Sequence, residues 1–492
     1  MLKKITLLLF SIVCFFTVSS QEIEKLTLNE ILELARSQSP DAIMAKHRFR
    51  ANYWEFRTYV AKYRPSLTLS GTIPSYNRLF EKEFDFSTGQ EQYVEKNTNS
   101  SSLNLSLSQN IGLTGGSIFM QSGLTRFDIL GTDGSSQYIS TPVSIGFIQP
   151  ISGYNSFKWE KKIEPLKYEE AKQDFLNDLE DVHLKGVNLF FNLALAQQNL
   201  EISKVNYSNS DTLFRIAQGR YQIGTIAEDE LLQMELRFLN AGNDLRKAGI
   251  DLQIREFQMR SFLGFNDNIK IELIIPDEIP ELEVDVQKAI NQANENNPEL
   301  LFLERQLLEA AMNVAEAKSE KGLNADLFAT YGLTQRSDDF SNAYVDPLSQ
   351  QRVRIGIELP IVDWGLGKGR YKMAQSSQEV VKTTVQQARV DFEQNIFLNV
   401  AQFNLQDDQL FSAAKADTIA QKRYEVSKQR FLIGKIDVLD LNVADTEKDV
   451  AKREYLSALR NYWTFFYTVR RLTLYDFEND LPVSADFTKL VD

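Results

Sequence analysis

The heptapeptide Arg220-Tyr221-Gln222-Ile223-Gly224-Thr225-Ile226 occurs again as Arg430-Phe431-Leu432-Ile433-Gly434-Lys435-Ile436, an offset of 210 residues (430 less 220). A second pair of landmarks keeps the same offset. Ile148-Gln149-Pro150-Ile151 is matched by Glu358-Leu359-Pro360-Ile361. The chain is therefore an internal duplication, and a repeat of this size restricts the fold more than any local propensity does. Each copy of the heptapeptide lies between two long helical patterns, so each is the expected tip of a helical hairpin. Glycine suits that place, because tight reversals use backbone conformations that a Cβ disfavours.

In chain order the first half begins with a helical pattern over Leu26 to Tyr63, with Thr27 or Asn29 as candidate caps and a break at Pro40. The period then changes from that of a helix to that of a strand. Leu67, Leu69 and Ile73 alternate with polar residues, as do Leu103, Leu105 and Leu107, and then Val143, Ile145 and Phe147. Ser117 to Phe127 is a fourth candidate strand, after the turn Thr114-Gly115-Gly116. Long polar loops are expected over Glu81 to Thr98 and Gly131 to Gln137. Phe80, Phe84, Phe86, Phe127 and Tyr138 are candidates for an interfacial aromatic girdle.

One helix is expected from Pro165, placed in its first turn, to Gly219, a length of about 80 Å. Ala227 to Leu263 returns from the tip. A connector over 264–283 includes the short strand-like Ile271 to Ile275. The second half repeats the plan: helix over Val284 to Glu320 with a break at Pro298, strands over Asp326 to Gln335 and Arg352 to Pro360, long helix Lys368 to Gln429, return Val438 to Leu474, and an unpatterned tail over 475–492. Pro40 to Pro150 spans 110 residues and Pro298 to Pro360 only 62, so the first half has 48 more, enough for two extra strands.

Lys3 and Lys4 precede the apolar run Ile5 to Val18, and Val18-Ser19-Ser20 offers small residues before Gln21. This is the pattern of a secretory signal peptide over 1–20; the run is shorter than the roughly 20 residues a membrane helix needs. Cys14, the sole cysteine, lies inside it without a small residue before it, so lipid attachment and disulfides are both unexpected. The net charge of −13 argues against a nucleic-acid partner. No later apolar run could cross a membrane as a helix. Contact with lipid would therefore fall to strands of about 9–11 residues, closed so that no backbone group is unpaired.

The doubled plan and two tip motifs carry a resemblance. Arg220-Tyr221-Gln222-Ile223-Gly224 is followed by Glu230-Leu231-Leu232, and Arg430-Phe431-Leu432-Ile433-Gly434 by Asp440-Leu441. On these the chain resembles the TolC-like outer-membrane efflux protein family, over about Gln21 to Tyr475. The resemblance implies a membrane α/β barrel: a homotrimeric transmembrane β-barrel in outer-membrane lipid, continued by a long periplasmic α-helical barrel. It implies a periplasmic adaptor and an inner-membrane transporter as partners. The function implied is passive exit of small toxic compounds or secreted protein. A structural periplasm-spanning fibre with a β anchor is the competing reading.

The expected organisation is a first repeat over 21–263 (strands about 66–150, hairpin about 164–263) and a second over 284–474 (strands about 325–360, hairpin about 366–474). The resemblance makes Arg220, Tyr221, Gly224, Thr225, Arg430, Phe431, Gly434 and Lys435 adaptor-contact residues at the tips. It makes Asp440, six after Gly434, a gate acid, with Glu230 its counterpart in the first half. The family's further acid falls on Val443 here, and Asp437, one turn before Asp440, is the candidate replacement. Acids near a helix start are also favoured by the helix dipole alone. Family members commonly supply four strands per chain, twelve in a trimer. Six here would give eighteen, unless Ser117 to Tyr138 is an extracellular hairpin or plug.

No catalytic, cofactor or metal-binding pattern stands out. His47 and His183 are far apart, and Gly112 to Gly116 lacks the Lys-Ser/Thr ending of a phosphate loop.

Overall fold

The computed structural model describes residues 23–491 except 88, 132–133, 266–269, 277–278, 281, 434 and 437, and except the side chains at 23, 24, 85, 432 and 438. The expected signal peptide, Gly434 and Asp437 lie outside the described residues. Contacts divide the chain into two units. One takes in residues up to Arg48, Phe175–Asn297 and Glu393–Asp486; the other Phe49–Asp174, Pro298–Phe392 and the residues from Phe487 on.

The elements follow the duplicated order. They are β1 (Ile23–Thr27), α1 (Leu28–Gln38), α2 (Pro40–Lys62), β2 (Ser66–Asp85), β3 (Gln90–Ile111), β4 (Gly116–Leu130), β5 (Ser135–Ser152), α3 (Ser156–Gln222) and α4 (Glu228–Leu263). After β6 (Lys270–Ile274) come α5 (Val286–Asn296), α6 (Pro298–Glu320), β7 (Asn324–Ser337), β8 (Leu348–Glu358), α7 (Leu366–Asn404), α8 (Gln406–Leu432) and α9 (Val438–Thr473). A two-residue hairpin, β9 (Tyr475–Asp476) with β10 (Leu481–Pro482), and α10 (Phe487–Val491) give structure to the tail, which the sequence pattern did not. No described helix is long and apolar enough to cross a membrane.

The second unit is built on a six-stranded antiparallel sheet in the order β2-β3-β4-β5-β7-β8. Its register sorts the residues onto two faces. Leu67, Leu107, Met120, Ile145 and Tyr331 are successive cross-strand neighbours, and the next row runs Ile118, Phe147, Ala329, Val353. Most of this apolar face is open: Leu67 and Leu69 are each 67% exposed, and Val353 is 72%. The opposite face runs Thr68, Ser106, Gln121, Ser144, Gly332 and Gln350. An apolar face without a covering layer is the reverse of a water-soluble sheet, which buries that side.

Several expectations require correction. Glu81 to Thr98 is not a loop, because β2 and β3 continue as a paired ribbon to Asp85 and Gln90. Cross-strand ion pairs hold it, Arg78–Glu95 at 2.7 Å, Lys96–Glu81 at 2.8 Å and Lys82–Glu91. Charges on both faces hide such a ribbon from an alternation test. Phe84 and Phe86 form an edge-to-face pair (5.2 Å) at the end of this charged ribbon, so they do not belong to a girdle beside the apolar rows. Pro165 is the tenth residue of α3, not part of its first turn; the helix starts at Ser156, where Asn155 Oδ1 accepts from Lys158 N at 3.2 Å.

The second long helix is broken at Leu405. There the Gln406 side-chain amide donates to the Gln402 carbonyl at 3.0 Å, the acceptor its own backbone N–H would use. The expected helix start at Leu26 yields to β1, which pairs parallel with β6. Thr27 is the cap of α1, in a reciprocal box with Glu30.

Helices α3 and α6 of this second unit are joined by a half-buried ionic fork. Arg305 donates to both Glu170 oxygens at 2.6 and 2.9 Å and to Glu309 at 2.8 Å. The hydrogen bonds donated to Glu170 hold the guanidinium above its ordinary value despite burial. Glu170 keeps a tenth of its side-chain exposure and Glu309 over a third. Arg305→Ala would strand the Glu170 carboxylate and is expected to cost about 3 kcal/mol, whereas Glu309→Ala should cost under about 1. Unfolding of the detergent-solubilised variants measures the difference.

Candidate channel tip and the polar cluster behind it

The tips belong to the first unit. Where α3 meets α4, Gly224 has φ +73°, in the left-handed region. Gly224 N donates to Tyr221 O and Thr225 N to Arg220 O, both at 2.9 Å, satisfying carbonyls that the ending helix leaves free. Thr225 Oγ1 donates to the same Arg220 oxygen at 2.9 Å. Between α8 and α9 the bonds recur with the 210-residue offset. Lys435 N donates to Arg430 O at 2.9 Å, and Ile433 N to Gln429 O at 3.3 Å, matching Ile223 N to Gly219 O at 3.3 Å. The repeated heptapeptide thus encodes one turn built twice.

The surroundings of the two turns differ. Tyr221 is 42% exposed, but its counterpart Phe431, expected to be presented at the tip, is 6% exposed. Phe431 packs with Tyr424 and Leu441, flanked by Leu213 and Ile436. Arg220 lies over its ring at 5.9 Å, so the first tip holds the second through a cation–π contact. Gly224, Thr225, Arg430 and Lys435 are exposed. Glu230 lies in the first turn of α4 after Glu228 and Asp229, and Asp440 in the first turn of α9; both are exposed. Val443, where the family's further acid would stand, is 41% exposed.

Further from the tips is a polar cluster that sequence reasoning missed. A groove of about 760 Å³ between α3, α4 and α9 is lined by Asn206, Arg237, Asn442, Asp445 and Asp449. Arg237 pairs with Asp445 at 2.9 Å, and Lys448 with Asp445 at 2.9 Å and Asp449 at 3.2 Å. Asn206 donates to Asp449 at 2.7 Å, and Lys448 caps the Tyr424 ring at 4.0 Å. Burial works to lower the Lys448 amine, but its bonds and attraction to Asp445 and Asp449 prevail and hold it above its ordinary value. Burial and the Asp445 charge push the Tyr424 phenol up. The cluster ties the first hairpin to the second. Asp445-x-x-Lys448-Asp449 has the spacing of an ordinary run of helix-surface charges; only the partners on α3 and α4 give it meaning.

The fold is that of outer-membrane channels. The outer membrane channel CmeC of Campylobacter jejuni superposes with a TM-score of 0.67 at 16% identity, covering 94% of this chain and 88% of that one. The open-state MtrE outer membrane channel of Neisseria gonorrhoeae gives 0.60 at 13%, with 93% and 90% covered. The outer membrane protein VceC of Vibrio cholerae gives 0.58 at 13%, with 93% and 97% covered. Residues 289–473 match the outer membrane efflux protein family, in agreement with the resemblance carried by the duplicated tips. A comparison with curated protein sequences finds no match.

Arg237→Ala is expected to destabilise by about 2 kcal/mol, less than for an isolated buried pair because Lys448 stays beside Asp445. Arg237→Ala combined with Asp445→Asn should recover part of that loss. Unfolding midpoints of the single and double variants test the coupling; strict additivity would deny it.

Proposed function

We propose that the protein is the outer-membrane exit channel of a tripartite efflux or secretion system. Three copies each give strands to one β-barrel in the outer membrane and helices to an α-barrel in the periplasm. The observation that carries the reading is the two-faced sheet, with open apolar rows on one side and Ser, Thr, Asn and Gln on the other. That is what a wall between lipid and water requires. It occurs within a fold shared with outer-membrane channels. The duct is passive, and an adaptor and an inner-membrane transporter supply cargo and energy. Small toxic compounds, or secreted protein, are the proposed cargo. Conductance of the purified protein in a planar bilayer separates this from a structural fibre, which would carry no current with or without an adaptor.

The tips are the proposed adaptor contact, with Arg220, Tyr221, Gly224 and Thr225 from the first and Arg430, Gly434 and Lys435 from the second. Phe431 serves by holding the second tip against Arg220. Thr225→Trp with Lys435→Trp is expected to weaken adaptor binding at least tenfold while leaving the trimer intact. Both can be read by pull-down and native mass spectrometry.

The proposed gate consists of the acids at the helix starts, Asp440 and Glu230, together with Asp437. Carboxylates from three chains around one aperture favour bound cations. Asp437→Asn with Asp440→Asn should lower cation selectivity and sensitivity to divalent cations in the bilayer. Wild-type values in this double variant would leave these acids with only the helix-start role.

A further inference from the structure

The β3–β4 hairpin, part of the 48-residue excess of the first half, is an integral pair of the six-stranded sheet and turns at its helix end. Its turn shows this. Gln109 donates to Tyr63 O at 2.8 Å and Asn110 to Lys62 O at 2.9 Å. Gln149 reaches Thr114 O at 3.0 Å, and Asn155 reaches Leu113 O at 3.2 Å. Lys62 is the last residue of α2, Tyr63 follows it, and Asn155 caps α3. The turn over 112–115 is therefore fixed at the end of the sheet where the helices begin, and an extracellular hairpin or plug could not be tied there. At that same end β5 and β7 meet, with Ser152 Oγ donating to Leu323 O at 2.7 Å. All six strands consequently share that end of the sheet, and the shortest, β8, is paired with β7 from Glu358 to Leu348. The apolar face continues across β3 and β4 through the facing pairs Leu107–Met120 and Leu103–Leu124.

Among the described residues the two outer strands are β2 and β8, and each is paired along one side only. β8 is exposed over its whole length. Val353, Ile355 and Ile357 on β8, and Leu67 and Leu69 on β2, continue the apolar face up to both edges. An apolar, lipid-facing edge with unpaired N–H and C=O groups cannot persist in hydrocarbon. β2 leaves the helix end of the sheet and β8 returns to it, so the two are antiparallel, and β8 of one copy can accept β2 of the next.

We propose, resting on the trimeric channel above, that three copies close an eighteen-stranded barrel through β8–β2 seams. Each chain contributes six lipid-facing strands. With strands about 4.8 Å apart and tilted about 40°, the backbone radius would be about 18 Å, against about 12 Å for twelve strands.

The sole cysteine lies in the expected signal peptide, so single cysteines can be placed on an otherwise cysteine-free mature chain. Leu69→Cys, Leu105→Cys, Met120→Cys, Ile145→Cys, Ile355→Cys and, on the other face, Gln121→Cys would each carry a fluorophore in vesicles with brominated acyl chains. Quenching is expected at all five apolar-face sites to within about twofold, and little at Gln121→Cys. Quenching at Leu69→Cys, Ile145→Cys and Ile355→Cys but not at Leu105→Cys and Met120→Cys would overturn the eighteen-stranded barrel. For the seam, Leu69→Cys is combined in turn with Gln351→Cys, Val353→Cys, Ile355→Cys or Ile357→Cys. One combination should give a covalent trimer on a non-reducing gel; failure of all four, with the sheet quenched as expected, would overturn the seam. Native mass spectrometry is read separately: a copy number other than three refutes the trimer itself, whichever strands face lipid.

Discussion

Water-free hydrocarbon offers no partner to a backbone N–H or C=O, and the sheet depends on this constraint. Six strands pair with one another and leave two edges, β2 and β8, while the face between them is apolar and open. In water such a sheet would aggregate through its edges and its face together. In a bilayer the face is solvated by lipid, and only the edges remain to be paired. Assembly is then a requirement of the fold and not an addition to it. The β2–β3 ribbon marks where the constraint ends. Beyond Ser75 and Ser100 charges occupy both faces and pair across the strands, as Arg78–Glu95 and Lys96–Glu81 do, which is affordable only in water.

Much of this plan was legible because duplication and alternation are long-range patterns that noise at single residues does not erase. The 210-residue offset returns in the structure as the same hydrogen bond at the same length, Thr225 N to Arg220 O and Lys435 N to Arg430 O. The alternation at Leu67, Leu103 and Val143 found strands for the same reason. Illegible were features whose cause lies in a partner elsewhere in the chain. The parallel pairing of β1 with β6 needs two segments far apart in sequence. The break at Leu405 needs the Gln406 amide, and Asn404 bonded to both backbone groups of Val284. Helix periodicity carries no trace of either.

The polar cluster shows a further limit. Arg237, Asp445, Lys448 and Asp449 look like solvated helix charges until α3, α4 and α9 bring them together. Burying them is weak evidence of added stability, since an apolar core of the same volume often does as well. Registry is the better account. Arg237 meets Asp445 and Asn206 meets Asp449 only when the first hairpin lies beside α9 at one height. A slip of one turn would strand several charges, so the network fixes the relative height of two otherwise repetitive coiled helices.

Registry also explains why two copies of one turn need not have the same role. The backbone of each tip is set by local bonds, Thr225 N to Arg220 O and Lys435 N to Arg430 O, which any surroundings tolerate. The residue three before that glycine is free to diverge, and it has: Tyr221 stays in solvent with its hydroxyl, while Phe431 has none and is buried beside Tyr424 and Leu441. A phenol at position 431 would carry a hydroxyl needing a partner inside that apolar cluster. Arg220 over the Phe431 ring then makes the second turn depend on the first. The first tip can therefore present side chains outward, and the second is held in place by one. An incoming protein would meet two surfaces of different chemistry on one repeated backbone, and that difference in side chains, not in fold, is where the duplication has separated its halves.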